Sequence, residues 1–200
     1  MEKLQLMMFE AIGYKLKFSQ KVTERYLDVL GVRFGKNSEM EQLMKTFISD
    51  RSTQEEIISN SQHKAYNEFR LLAKMQLKYD IEKLQKQIAE QASSPFLIGY
   101  QAALAYLTAV QKITETYTLL PADVSNAEYR MLHAIWDSDI ETESNHRKTT
   151  CGVDCQTICI VLRTMICFNN SLLANRFNYN EAKNTVKMLF QLDIKCAVWT

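Results

Sequence analysis

The chain has 200 residues, 46% hydrophobic and 24% charged, with 24 Lys and Arg against 23 Asp and Glu for a net charge of +1. A chain of this length buries about 70% of its unfolded surface without a metal or disulfide staple, so one domain over residues 1–200 is expected, and the balanced charge leaves no electrostatic footprint for nucleic acid or an anionic membrane. Only 5 Gly and 2 Pro interrupt it, against average usages of about 7% and 5%, which points to an all-α fold.

Residues 2–17 read as a first helix, with Leu4, Met8, Ala11 and Ile12 on one side. Ser19 caps a second, in which Val22, Tyr26, Val29 and Leu30 recur at helical spacing and Gly31 supplies the stop. Val32 to Asn37 is then a turn. Ser38 with Glu41, Thr53 with Glu56 and Ser125 with Glu128 fit the capping box, and Asn178 with Glu181 is a looser version. In that motif the hydroxyl accepts from an orphan amide and the carboxylate reaches back to the cap. These signals place a third helix at about 39–49 and a fourth from Gln54 to Ala92, with no Gly or Pro inside it. Ser94-Pro95 opens a fifth helix that ends before Pro121. A short sixth follows at 126–137, then a polar loop from Asp137 to Thr150, then helices at 152–168 and about 179–193. The tail Ile194, Cys196, Val198 alternates as a strand does, but is too short to assign. The expected architecture is seven to eight helices around one long central or projecting helix at 54–92.

That fourth helix is the main structural puzzle. At 1.5 Å per residue, residues 54–92 would span about 58 Å, while a compact domain of this size is about 43 Å across. Its apolar residues also form two stripes. Ala65, Phe69, Leu72 and Tyr79 make one; Leu77, Ile81, Leu84 and Ile88 make another, offset by two positions or about 200°. A helix buried on both faces, a kinked hairpin opening near Gln76, and a helix projecting towards a partner all satisfy this pattern. Asp80, Glu82, Lys83 and Lys86 flank the second stripe and favour a wet side. Leu77, Ile81, Leu84 and Ile88 are therefore the candidate partner-binding residues, and a second copy of the chain is among the partners they suit.

Two apolar stretches, Phe96 to Val110 and Ile158 to Phe168 (the latter carrying Arg163), fall short of the roughly 20 residues needed to cross a bilayer. Both read as buried core helices. Cysteine is present at an odd count, 5, and no basic segment followed by an apolar run opens the chain. Free thiols in a cytoplasmic setting are expected. Cys151, Cys155 and Cys159 lie on one helical stripe with Cys167 beyond. That stripe continues as Ile158, Leu162, Met165 and Ile166, where free Cys packs as a small hydrophobe. Structural zinc sites need two C-x2–4-C pairs or one with a pair of His, and no second pair stands elsewhere in the chain, so no metal site is expected.

Other chemistry finds no support. His63, His133 and His146 share no i, i+4 spacing, and Glu143 with His146 is a single Glu-x-x-His where a di-iron bundle needs two. Asp137, Asp139, Glu141 and Glu143 begin as a calcium loop does, but Thr142 stands where Gly is required and Lys148 where Glu is. No nucleophile elbow, phosphate loop, dinucleotide fingerprint or H-E-x-x-H is present. Catalytic, cofactor and metal residues are thus none. The expected function is a non-enzymatic helical module (adaptor, regulatory subunit, inhibitor or effector) that binds a protein partner through helix faces. Its 9 Met suit adaptable contact surfaces. The alternative is a small-molecule or lipid binder with an apolar cavity lined by aromatic and Met side chains; a cysteine-dependent site ranks third.

Overall fold

The computed structural model describes residues 15–116 and 154–168. Every regular element among them is a helix: α1 (Gln20–Phe34), α2 (Glu39–Ser49), α3 (Arg51–Ile58), α4 (Tyr66–Glu90), α5 (Leu97–Thr116) and α6 (Cys155–Cys167). The expected helices at 126–137 and 179–193, the boxes at Ser125 and Asn178, His133, His146 and the acidic loop lie outside the described residues. The first expected helix does not reach residue 17, because residues 15–19 are not helical.

Val22, Tyr26 and Leu30 face the core of α1 at i, i+4 and i+8, the spacing of one helical face. Gly31 does not stop this helix. It continues to Phe34 and ends at Gly35, whose φ of 90° is open to glycine and strained for other residues. The next helix begins as its capping signal predicts. The Ser38 hydroxyl accepts from Glu41 N–H at 3.2 Å, while the Glu41 carboxylate accepts from Asn37 N–H, one residue before the cap.

The expected long fourth helix is two helices. Asp50 makes the corner between α2 and α3: its N–H donates to Thr46 O at 2.8 Å and its carboxylate accepts from Thr53 N–H at 2.8 Å and Thr53 Oγ1 at 2.7 Å. Thr53 is therefore inside the helix that it was expected to cap. Residues 59–65 then turn, with Asn60 Oδ1 accepting from Gln62 N–H and His63 Nδ1 from Ala65 N–H, each at 3.0 Å. His63 is thus a turn residue. The 25 residues of α4 span about 37 Å, which a compact domain accommodates.

Along α4 the two apolar stripes join into one face. At about 100° per residue, Gln76 and Asp80 fall in the arc between them, and both are buried, each 2% exposed. Lys78, Glu82 and Lys86 line the exposed side. The two stripes are thus parts of one surface with two polar residues inside it. This face meets α1, α3, α5 and α6. The contact with α5 is the most extensive, where Gly99 and Ala103 are buried one turn apart and allow close approach.

The last described helix is capped by Asp154, which accepts from Thr157 N–H at 2.7 Å and from the Tyr100 hydroxyl of α5 at 2.7 Å. Residues 159–168 are all buried, the polar Arg163 and Thr164 among them. No helix among the described residues is long and apolar enough to cross a membrane.

Candidate functional site

Among the described residues, buried polar side chains gather where α4, α6 and the segment 15–19 meet. Arg163 interrupts an otherwise apolar helix and pairs through Nη2 with Asp80 Oδ2. Its Nη1 donates to the Lys17 carbonyl at 2.9 Å. Gln76 Nε2 donates to Asp80 Oδ1 at 2.9 Å, and Gln76 Oε1 accepts from Ser19 N–H at 2.8 Å and Ser19 Oγ at 3.2 Å. The bonds close a ring through Lys17, Arg163, Asp80, Gln76 and Ser19. Ser19 stands at the N-cap of α1 as expected, but its side chain makes no cap bond, because the hydroxyl is turned to Gln76.

A second buried carboxylate, Glu68, accepts from the Tyr26 hydroxyl at 3.0 Å and pairs with Arg33 at 2.9 Å. Burial pushes the Tyr26 phenol well above its usual range, and the Glu68 carboxylate adds to the shift. Arg70 reaches the Cys167 carbonyl at 2.7 Å and lies over the Phe168 ring. No buried side-chain nitrogen or oxygen among the described residues lacks a partner.

These groups are matched to one another. Both Asp80 oxygens are engaged. The cavity beside the ring, lined in part by Phe18, Leu77 and Cys167, measures about 10 Å³, near the minimum for a single water and far below the roughly 300 Å³ of a small-molecule site. Burial drives the Cys167 thiol up to about 12 despite the nearby Arg163 and Arg70.

Leu77, Ile81 and Leu84 are buried in the chain's own core, and Ile88 packs partly buried against it. Asp80, read from sequence as a flanking surface charge, is inside. Cys159 and Cys167 are free and buried; Cys151 and the side chain of Cys155 lie outside the described residues. Among the described residues no group of three His, Cys, Asp or Glu could hold a metal.

Gln54, Gln76, Asp80 and Arg163 were missed as an interior set. Two signals were available: Gln76 and Asp80 continue the i, i+4 series of Leu72, and Arg163 stands alone within an apolar run. No family model matches the chain, and no curated protein or solved structure matches it either.

Proposed function

We propose that this chain is a non-enzymatic helical module that binds a partner protein through the exposed end of α1. One observation carries the reading. Val32 stands 88% exposed, Phe34 43% and Val29 37%, all within the last two turns of a helix that buries Val22, Tyr26 and Leu30. Scattered single apolar residues on a surface are ordinary, but a local group of them marks an interaction site. Arg33 adds the residue type that interfaces favour: its guanidinium lies 5.1 Å over the Phe34 ring while it pairs with Glu68. The buried ionisable groups support the non-enzymatic part of the reading, since they are engaged with each other. The unpaired thiols of Cys159 and Cys167 support a reducing, cytoplasmic setting.

A photoreactive residue introduced at Val32 tests this in the native host, with the exposed Glu82 of α4 as the reference position. The same discrete partner is expected from Val32 and not from Glu82, and Phe34→Ser should reduce its yield at least fivefold. Light scattering on the purified chain shows whether that partner is a second copy. Equal crosslinking from both positions, or none from Val32, contradicts the proposal.

A further inference from the structure

Residues 15–19 are bound to the helices as a ligand would be. Leu16 N–H donates to Gln54 Oε1 at 2.7 Å, and Gln54 Nε2 donates back to the Leu16 carbonyl at 3.0 Å. An exchange of both bonds with a single residue is what one β-strand offers its neighbour. Here the fully buried Gln54 side chain plays the part of that neighbour. The rest of the segment is held in the same manner. Arg163 takes the Lys17 carbonyl, Gln76 takes Ser19 N–H, and Lys15 Nζ reaches the Ser49 carbonyl at 3.0 Å.

Leu16 and Phe18 stand two residues apart, the spacing of one side of an extended segment, and both reach the core. Leu16 is fully buried, and Phe18 packs against the core with its ring 6.1 Å from that of Phe47. Main-chain bonds that supply affinity, with pockets for alternate side chains that supply specificity, define extended-peptide recognition. Three separate helices contribute the polar groups: Gln54 from α3, Gln76 from α4 and Arg163 from α6.

We propose that this groove is a recognition site for an extended Leu-x-Phe-Ser segment of a partner protein, and that the chain's own Leu16–Ser19 occupies it in cis. A partner segment of that pattern displaces the cis strand and meets the same Gln54, Arg163 and Gln76. The site involves residues other than Val29, Val32 and Phe34, and stands or falls independently of that surface.

The test uses the full chain and a fluorescent peptide of residues 14–20. In wild type the cis strand competes at an effective concentration of the order of millimolar or higher, so the peptide binds weakly. Leu16→Asp in the full chain spoils the cis strand. Peptide anisotropy should then saturate at least tenfold more tightly than with wild type. Adding Gln54→Leu to that chain, or Leu16→Asp to the peptide, should each remove at least tenfold. Absence of binding to a Leu16→Asp chain that still melts cooperatively overturns the proposal, as does indifference to Gln54→Leu. Should Leu16→Asp fail to fold, hydrogen exchange of wild type at several millimolar peptide decides. Faster exchange of the Leu16 and Ser19 amides is expected, and unchanged exchange overturns the proposal. A wild-type dimer that shares this strand between copies assigns the groove to a second copy and overturns the partner assignment.

Discussion

The α2–α3 corner and the α4–α6 contact differ in how far their polar bonds reach along the chain. Ser38 caps through Glu41 N–H and Asp50 through Thr53 N–H, each three residues on. Around α4 and α6, Ser19 bonds Gln76 across 57 residues, Asp80 meets Arg163 across 83, and Arg163 meets Lys17 across 146. Local caps decide where a helix begins. The long-range bonds decide which helices belong together, because removal of either end leaves a buried group without a partner.

The largest effect is expected at Arg163. Arg163→Ala strands the buried Asp80 carboxylate and should lower stability by about 3–5 kcal/mol, measured by urea unfolding. A loss below about 1 kcal/mol would make the α4–α6 bonds no stronger than a cap.

High pH should weaken the same region next. Folding raises the Cys167 thiol and the Tyr100 hydroxyl, each to about 12, chiefly by burial, and raises Tyr26 for the same reason. The folded state then holds protons that the unfolded chain releases, so stability is intact below about pH 9 and falls as pH rises towards 12. Cys167→Ala should delay the onset of that loss. The corner responds at the other end of the scale. The Asp50 carboxyl is held below its usual range by the Thr53 side-chain and backbone donors, and its contribution disappears as pH falls below about 4. Thermal melts across pH 2–12, on wild type and on Asp50→Asn, separate the two.

Smaller effects are expected where bonds are local. Ser38→Ala should cost about 1 kcal/mol. Gly31 within α1 and Gly35 at its end should respond with opposite signs. An added Cβ at Gly31 meets only the Lys36 side chain, at 3.7 Å, so Gly31→Ala should stabilise by about 0.5–1 kcal/mol. At Gly35, with φ of 90°, Ala is strained, and the melting temperature should fall.

The same division explains what could be read in the sequence. Ser38 marks the start of α2 because a cap and its helix are neighbours; at Ser94-Pro95 the Ser94 hydroxyl accepts from Phe96 N–H and α5 begins two residues past the proline, at Leu97. Thr53 does not cap α3 because Asp50, three residues earlier, takes the Thr53 amide on its own carboxylate and starts the helix there. The break at residues 59–65 contains no Gly or Pro; Asn60 and His63 form it through side-chain bonds to the backbone, a weaker signal. Gln76 and Asp80 split one buried face of α4 into two apparent stripes, since hydropathy counts them as surface. Their partners, Arg163 and Ser19, are too distant in sequence for any periodicity to reveal. Gln54, read as a helix start, instead holds Leu16 for the same reason.

A double-mutant cycle on Asp80 and Arg163 tests most directly whether these buried bonds join α4 to α6. Asp80→Ala, Arg163→Ala and the double variant are compared with wild type by equilibrium unfolding. The double variant should lose less stability than the two singles summed, with a coupling of about 1–3 kcal/mol. Losses that add to within about 0.5 kcal/mol would show that the pair contributes nothing as a pair, and would contradict the account.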